Sequence, residues 1–458
     1  MNTILITVDA LRADHLGQYG YERETMPVLD RLVDEGTLFT NAYTNGPYTR
    51  ISVPSFHTSR YLAYDRLEEL PTIGSEVRAE GIVTAAIGTR TGFKQYEGGL
   101  SFDEFVDLGR DEYHTTSNEH VGPVERFMST TRNVAQRVGN ALPESNPLYD
   151  SAEKAYHALL GDGFEFKGYT SAKEVTSAAR GWIDTNSGDE FFLWLHYMEG
   201  HRPYGIHDDN PTYHSGVAES QIRDLMKKAG TQPESVTDSE HDLLIDLYDS
   251  DLRYCSQHLT RLFDTLVELD LWNDTAILFT SDHGEEFADH GKYFHRNYPY
   301  DELLHVPLLT RIPGRQPATI DEQRELLDLA PTICELHGLD ADSMLWYGTN
   351  LFEGSARDVI ATGAQCSRTP VVTCRRDGWK YLCSDGEVSL FDLESDPAEW
   401  TNVANKNPRV VTGFERVIPD RLFELEPEQL EEPTDAVNEG HLEALGYLEL
   451  EEGDETRR

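Results

Sequence analysis

The stretch Thr275-Ala276-Ile277-Leu278-Phe279-Thr280-Ser281-Asp282-His283-Gly284-Glu285-Glu286 decides the reading of the fold. Residues 275–280 form a short apolar run, as a strand buried on both faces does. The run breaks into Asp282-His283, and open α/β sheets carry their sites at the carboxyl ends of strands. A carboxylate and an imidazole side by side can turn toward one divalent cation. Residues 4–8 have the same design and end at Asp9. Taken alone, Asp9 reads equally well as a helix N-cap. The two strand ends together point to a metal held by Asp9, Asp282 and His283.

Further buried strands are expected at residues 81–87 (GIVTAAI), 191–197 (FFLWLHY) and 306–310, and helical spacing covers residues 26–36, 172–184 and 243–269. Strands alternating with helices predict an α/β fold, a mostly parallel sheet sandwiched by helices. Residues 113–170 are polar and irregular and read as an insertion over the sheet edge. From residue 354 the pattern changes to short strands at 371–374, 380–383 and 388–392, separated by Arg376-Asp377-Gly378 and Ser384-Asp385-Gly386. That is an antiparallel meander. The expected division is a catalytic α/β domain over 1–353 and a small antiparallel α+β subdomain over 354–458, ending in an acidic tail at 449–458. A length of 458 residues suits one large and one small domain.

The chain carries 82 acidic and 39 basic residues, a net charge of −43. Such a charge repels nucleic acid and anionic membranes, so neither is an expected partner. The acidic residues are spread along the chain and read as a solvated surface suited to a salt-rich cytoplasm; a calcium-binding surface is the alternative. The five cysteines, Cys255, Cys334, Cys366, Cys374 and Cys383, include no CxxC pair. An odd set without that spacing reads as reduced thiols in a cytoplasm. The N-terminal apolar run is short for a signal peptide and lacks a basic start. Nothing approaches the ~20 apolar residues of a membrane span. A cytoplasmic protein of a halophilic cell is expected. The sequence carries no signal for an oligomeric state.

Several strings also resemble one family. Residues 4–21 (ILITVDALRADHLGQYGY) look like the N-terminal signature of sulfatases, members of the alkaline phosphatase superfamily, here of a haloarchaeal type. Residues 278–309 resemble the family's second metal segment, and His201-Arg202-Pro203-Tyr204 its His-x-Pro-Tyr motif. Asp328-Leu329-Ala330-Pro331-Thr332 and residues 390–402 (LFDLESDPAEWTN) resemble its C-terminal signatures. The resemblance implies a sulfatase-like sheet and metal-dependent hydrolysis or transfer of a small anionic ester, a sulfate or a phosphate. His201 resembles the family's substrate-contacting histidine. His295 falls where many sulfatases place a lysine that holds the sulfate. Either could bind the ester anion or protonate the leaving group. Arg90 lies where relatives place substrate-binding residues, but the usual Lys-x-His is absent. His196, His290 and His305 are weaker candidates.

The nucleophile departs from the family pattern Cys/Ser-x-Pro-Ser-Arg, whose first residue becomes formylglycine. Starting at Ser52 gives Ser-x-Pro-Ser, but Phe56 stands in place of Arg, and Thr58-Ser59-Arg60 follows three residues early. Starting at Thr49 keeps that spacing and puts Ile51 in place of Pro. The Thr49 register is favoured, since relatives that transfer phosphoryl groups use Thr there. Helix N-capping is the plainer role for either hydroxyl. Asp9 is followed by Ala10, where calcium sulfatases pair two aspartates. The expected ligands are therefore Asp9, Asp282, His283 and the Thr49 oxygen. Few ligands, one of them nitrogen, favour manganese or zinc; waters could complete a calcium or magnesium shell. Three readings stay open: a hydrolase or transferase using Thr49, a sulfuric-ester hydrolase with formylglycine made from Ser52, and a non-catalytic binding protein of the same fold.

Overall fold

The apolar runs become the middle of one sheet. β1 (Asn2–Val8) lies between β5 (Phe191–Tyr197) and β6 (Thr275–Ser281), parallel to both, and every residue of the three is buried. In this computed structural model, residues 1–61, 64–88, 96–108, 170–208, 210–295, 298–341, 344, 346–354, 356–365 and 369–423 are described. On one side β3 (Val83–Gly88) pairs parallel with β5, and β4 (Glu104–Asp107) parallel with β3. On the other, β9 (His305–Arg311) runs antiparallel to both β6 and β2 (Thr37–Tyr43). β10 (Ala318–Ile320) and β11 (Arg324–Glu325) pair parallel with β2. The order is β10-β2-β9-β6-β1-β5-β3-β4. A hairpin of β7 (Glu286–Phe287) and β8 (Tyr293–Phe294) stands off the sheet.

The mostly parallel sheet with covering helices is as expected. The run at 306–310 is a strand, but a reversed one, because an apolar run encodes burial and not direction. Residues 26–36 form a 3-10 turn, Pro27–Leu29, and then the helix Asp30–Glu35. The expected helices appear as Ala172–Asn186 and Asp238–Glu268, which pack on each other. Thr237 starts the longer one by accepting from the Glu240 amide, a cap worth about 1 kcal/mol.

β12 (Val359–Gln365), β13 (Thr369–Arg376), β14 (Trp379–Ser384) and β15 (Glu387–Asp392) form the antiparallel meander in chain order. It has a core of its own around Val372, Tyr381, Leu390 and Phe414. Lys380 is fully buried; its Nζ donates to Asp301 Oδ1 at 2.8 Å and Glu399 Oε1 at 2.6 Å. Arg375 reaches Asp301 Oδ2 at 2.6 Å. These contacts hold the turn Asp301–Leu304, and the carbonyl of Leu303 accepts from the Gly284 amide at 2.9 Å. The small sheet thus buttresses the residue next to His283.

The described residues up to Asp107 and from Thr170 onward belong to one compact unit. The expected insertion apart from Thr170, the acidic tail, Arg90 and Cys366 lie outside the described residues. Cys255, Cys334, Cys374 and Cys383 are free thiols.

His57 makes the fold acid-sensitive. Its ring is fully buried, 4.5 Å from Trp194, and neither nitrogen is hydrogen-bonded among the described residues. Burial pushes its pKa down to about 3, from an ordinary 6.5. Below pH 6.5 the unfolded chain takes a proton that the native state refuses. Native stability therefore falls with pH through that window, by ~1.4 kcal/mol per unit. In urea melts at about pH 7.5 and about pH 5.5, His57→Phe should lose about 1 kcal/mol less than the parent protein. Equal losses would mean that the buried ring accepts its proton.

Candidate metal centre and active site

β1 and β6 are in register with Val8 opposite Ser281, so Asp9 and Asp282 leave the sheet edge side by side. His283 follows, and one ligand atom from each of the three lies within 4.8 Å of the others. All three are buried. The His283 Nδ1–H donates to the Gly284 carbonyl at 2.7 Å, which leaves Nε2 as the lone-pair nitrogen. Nε2 sits 3.4 Å from Asp9 Oδ1 and 3.7 Å from Asp282 Oδ2. A Cβ on Gly284 would come within 1.9 Å of the Glu302 carbonyl, so only glycine lets this segment lie so close.

The backbone around Asp9 is strained to fit. Ala10 adopts a left-handed φ of 55°, which costs an L-residue about 1 kcal/mol or more. Its amide donates to Asp282 Oδ1 at 3.3 Å, and its carbonyl accepts from the Tyr248 hydroxyl at 2.8 Å. Neither Asp9 nor Asp282 caps a helix.

Burial and then the charge of Asp9 push the Asp282 carboxyl up. Burial pushes Asp9 up too, but it is outweighed by His201, a hydrogen bond with His196, and the charge of His283, which hold Asp9 low. Burial lowers His283, and the two carboxylates more than reverse it. Asp9 Oδ1 and Asp282 Oδ2 are buried and lack a hydrogen-bond donor among the described residues. Buried carboxylate oxygens without donors, next to a correctly oriented imidazole, suit a divalent cation.

Thr49 is the first residue of the helix Thr49–Thr58, six residues past β2 on the same sheet edge, and Tyr48 is the N-cap. Thr49 Oγ1 lies 3.3 Å from Asp9 Oδ2 and 3.2 Å from His283 Nε2. Ser52 is buried one turn on, and its Oγ has no hydrogen-bond partner among the described residues. Neither hydroxyl caps the helix.

His201 and His295 also come to this end of the sheet. The His295 ring lies 4.8 Å from that of His283 and 4.9 Å from that of His201. His201 Nδ1–H donates to the Arg202 carbonyl at 2.5 Å, and burial pushes its pKa down to about 4. Of the weaker histidines, His196 reaches the centre: Nε2 is 3.4 Å from Asp9 Oδ2, and Nδ1 is 2.8 Å from Thr7 Oγ1. His290 pairs with Glu302 at 2.6 Å and stacks on Tyr300. His305 donates to the Thr40 carbonyl at 3.0 Å and stacks on Tyr43. Sequence reading gave Glu285 no role, although it lies in the metal segment itself. It is fully buried between Tyr204 and His295, and burial raises its pKa to about 7.

A mostly parallel sheet with a trio at its strand ends that could hold a metal ion is the arrangement expected of the alkaline phosphatase superfamily. The sulfatase family model matches residues 1–339, and the chain belongs to the sulfatase family. It is a hydrolase acting on sulfuric or phosphoric ester bonds. It is 26% identical to the choline-sulfatase of Rhizobium meliloti (strain 1021), over 89% of this chain and 83% of the relative. The phosphonate monoester hydrolase of Agrobacterium radiobacter superposes with a TM-score of 0.62 at 19% identity, covering 94% and 96% of the two chains. BT4656, solved in complex with its substrate D-glucosamine-2-N,6-O-disulfate, superposes with a TM-score of 0.64 at 14% identity, covering 94% and 99% of the two chains. Identities this low speak for the fold.

The carboxylate pair makes a prediction about stability. Without metal, Asp282→Asn relieves repulsion and should stabilise the protein by ~1 kcal/mol. With a divalent ion at a hundred times its Kd, the parent should gain ~2.7 kcal/mol and the variant far less. Thermal melts with and without metal check this crossover. Equal metal gains in both proteins would place the ion elsewhere.

Proposed function

We propose that this chain hydrolyses, or transfers, a sulfate or phosphate ester through the Thr49 hydroxyl, on one divalent metal held by Asp9, Asp282, His283 and Thr49. The observation that carries the reading is Thr49 Oγ1 at 3.3 Å from Asp9 Oδ2 and 3.2 Å from His283 Nε2. The metal, when bound, would lower the pKa of that hydroxyl and offset the ester's negative charge. The helix N-terminus at Thr49 favours the same anion. Manganese or zinc suits a set of few ligands with one nitrogen; calcium or magnesium would need added waters.

Thr49 Oγ gives its proton toward Asp9 Oδ2 and bonds to the phosphorus or sulfur. The bond to the leaving oxygen breaks, and that oxygen takes a proton from water and departs as the alcohol. The product on the protein is a phospho- or sulfo-threonine. Water, or another hydroxyl acceptor, then attacks the same atom and displaces Thr49 Oγ, which regains its proton. His201, whose ring neighbours that of His295, is proposed as a further contact to the substrate. Arg90 is proposed as a further substrate contact, and residues 113–170 are kept as an insertion in the catalytic domain. The division at residue 354 is kept as the domain boundary. The relatives' substrates, a choline sulfate by name and a sulfated glucosamine, support a small anionic ester.

Metal-loaded protein should turn over aryl sulfates or aryl phosphates in high salt. Thr49→Ala should abolish turnover, by 10³-fold or more on the order seen for lost nucleophiles. Mass spectrometry of the peptide over residues 49–60 should find Thr49 and Ser52 unmodified at rest. A formylglycine at Ser52 would replace this mechanism with the aldehyde one. Turnover that Thr49→Ala leaves intact, or none by the parent on either ester class, would favour the formylglycine or the binding-protein reading respectively.

We further propose that the protein works in the salt-rich cytoplasm of a haloarchaeal type of cell. The support is a net charge of −43, and among the described residues no helix is long and apolar enough to cross a membrane. The Debye length grows from about 3 Å at 1 M salt to about 10 Å at 0.1 M, so dilution unmasks the self-repulsion. The melting temperature should fall steadily as KCl is lowered. A melting temperature that does not change with salt would contradict the setting.

A further inference from the structure

The Tyr204–Glu285–His295 chain joins two segments of the site that are far apart in sequence. Tyr204 closes the loop that carries His201, Glu285 lies two residues past His283, and His295 follows β8. Glu285 is fully buried. Its Oε2 accepts from the Tyr204 hydroxyl at 2.5 Å, and its Oε1 faces His295 Nδ1 at 3.0 Å. Both oxygens are therefore engaged, and the carboxylate plane is fixed from two sides. Tyr204 is itself buried and packs edge-on against Tyr248, with ring centroids 5.3 Å apart. The Glu285 backbone is held as well, since its carbonyl accepts from Arg12 Nη1 at 3.0 Å.

A neutral imidazole carries one N–H and can place it on either nitrogen. A carboxylate facing Nδ1 selects the Nδ1–H form and leaves Nε2 as the nitrogen presented on the ring's other edge. That ring neighbours both His283 and His201. We propose that Glu285, anchored by Tyr204, is the positioning residue that sets the tautomer and orientation of His295, so that Nε2 stands beside the metal trio as the acceptor for the proton of the attacking water. The proposal rests on the reading of this site as one that handles an anionic ester.

The test has an arm that does not need turnover. The full-length protein is labelled with 15N-histidine and studied by NMR in high salt, with the His295 resonances assigned by their loss in His295→Gln. The parent should show the Nδ1–H tautomer, Glu285→Gln should keep it, and Glu285→Ala should shift it toward Nε2–H. In kinetics with whichever aryl ester is turned over, Glu285→Ala should lower kcat/KM by roughly ten- to a hundred-fold. Glu285→Gln should recover most of this, because its amide oxygen still accepts from Nδ1–H. Tyr204→Phe, which removes one anchor, should cost less than Glu285→Ala. Combined with His295→Ala, Glu285→Ala should cost nothing further. An unchanged His295 tautomer in Glu285→Ala, or a full additional loss in the His295→Ala background, would overturn the proposal. If the parent turns over no ester, the reading of the site fails, and the tautomer comparison still decides the role of Glu285.

Discussion

Two buried carboxylates held side by side are the constraint that the rest of this structure answers. Asp9 and Asp282 are delivered together by the parallel register of β1 and β6, a consequence of main-chain hydrogen bonding rather than of any attraction between them. At short range in a poorly solvated site their repulsion amounts to several kcal/mol unless a cation or donors offset it. His283 supplies a part, and the two donor-free oxygens show where more positive charge is needed. The strained Ala10 is bearable only because neighbouring groups over-determine its backbone, with Tyr248 on its carbonyl and Gly200 packed against Asp9.

The support reaches well beyond the site. Lys380 of the small sheet is buried against Asp301 and Glu399 and fixes the turn that hydrogen-bonds Gly284. A lysine kept charged away from water is costly unless paired on all sides, and here two carboxylates surround it. The C-terminal meander is thus coupled to His283 through one short turn. The chemistry sits at the strand ends, and the rigidity that aims it comes from elements on either side.

Much of this was legible in the sequence where the information is local. The runs at residues 4–8, 191–197 and 275–280 end in chemistry-bearing residues, and a strand end fixes where its next residue goes. The direction of β9 was not legible, because its apolar run carries no polarity of direction. β2, Thr37–Tyr43, was missed because its threonines and asparagine interrupt the apolar pattern. The contact of His196 with Asp9 depends on a pairing across 187 positions, 196 less 9, that no short window contains. Its place on the Trp194 side of β5 was the available hint. Glu285 sat inside the most informative string, but its partners Tyr204 and His295 lie on other segments. Thr49 was placed by spacing, and the helix beginning there gives that spacing a physical reason: the first residue of a helix at the sheet edge can face the metal trio.

The most direct measurement is anomalous diffraction from crystals of the full chain soaked in manganese. The account predicts one strong peak within coordinating distance of Asp9, Asp282, His283 Nε2 and Thr49 Oγ1. A peak elsewhere, or one at the carboxylates with Thr49 turned away and Ser52 facing the ion, would contradict it.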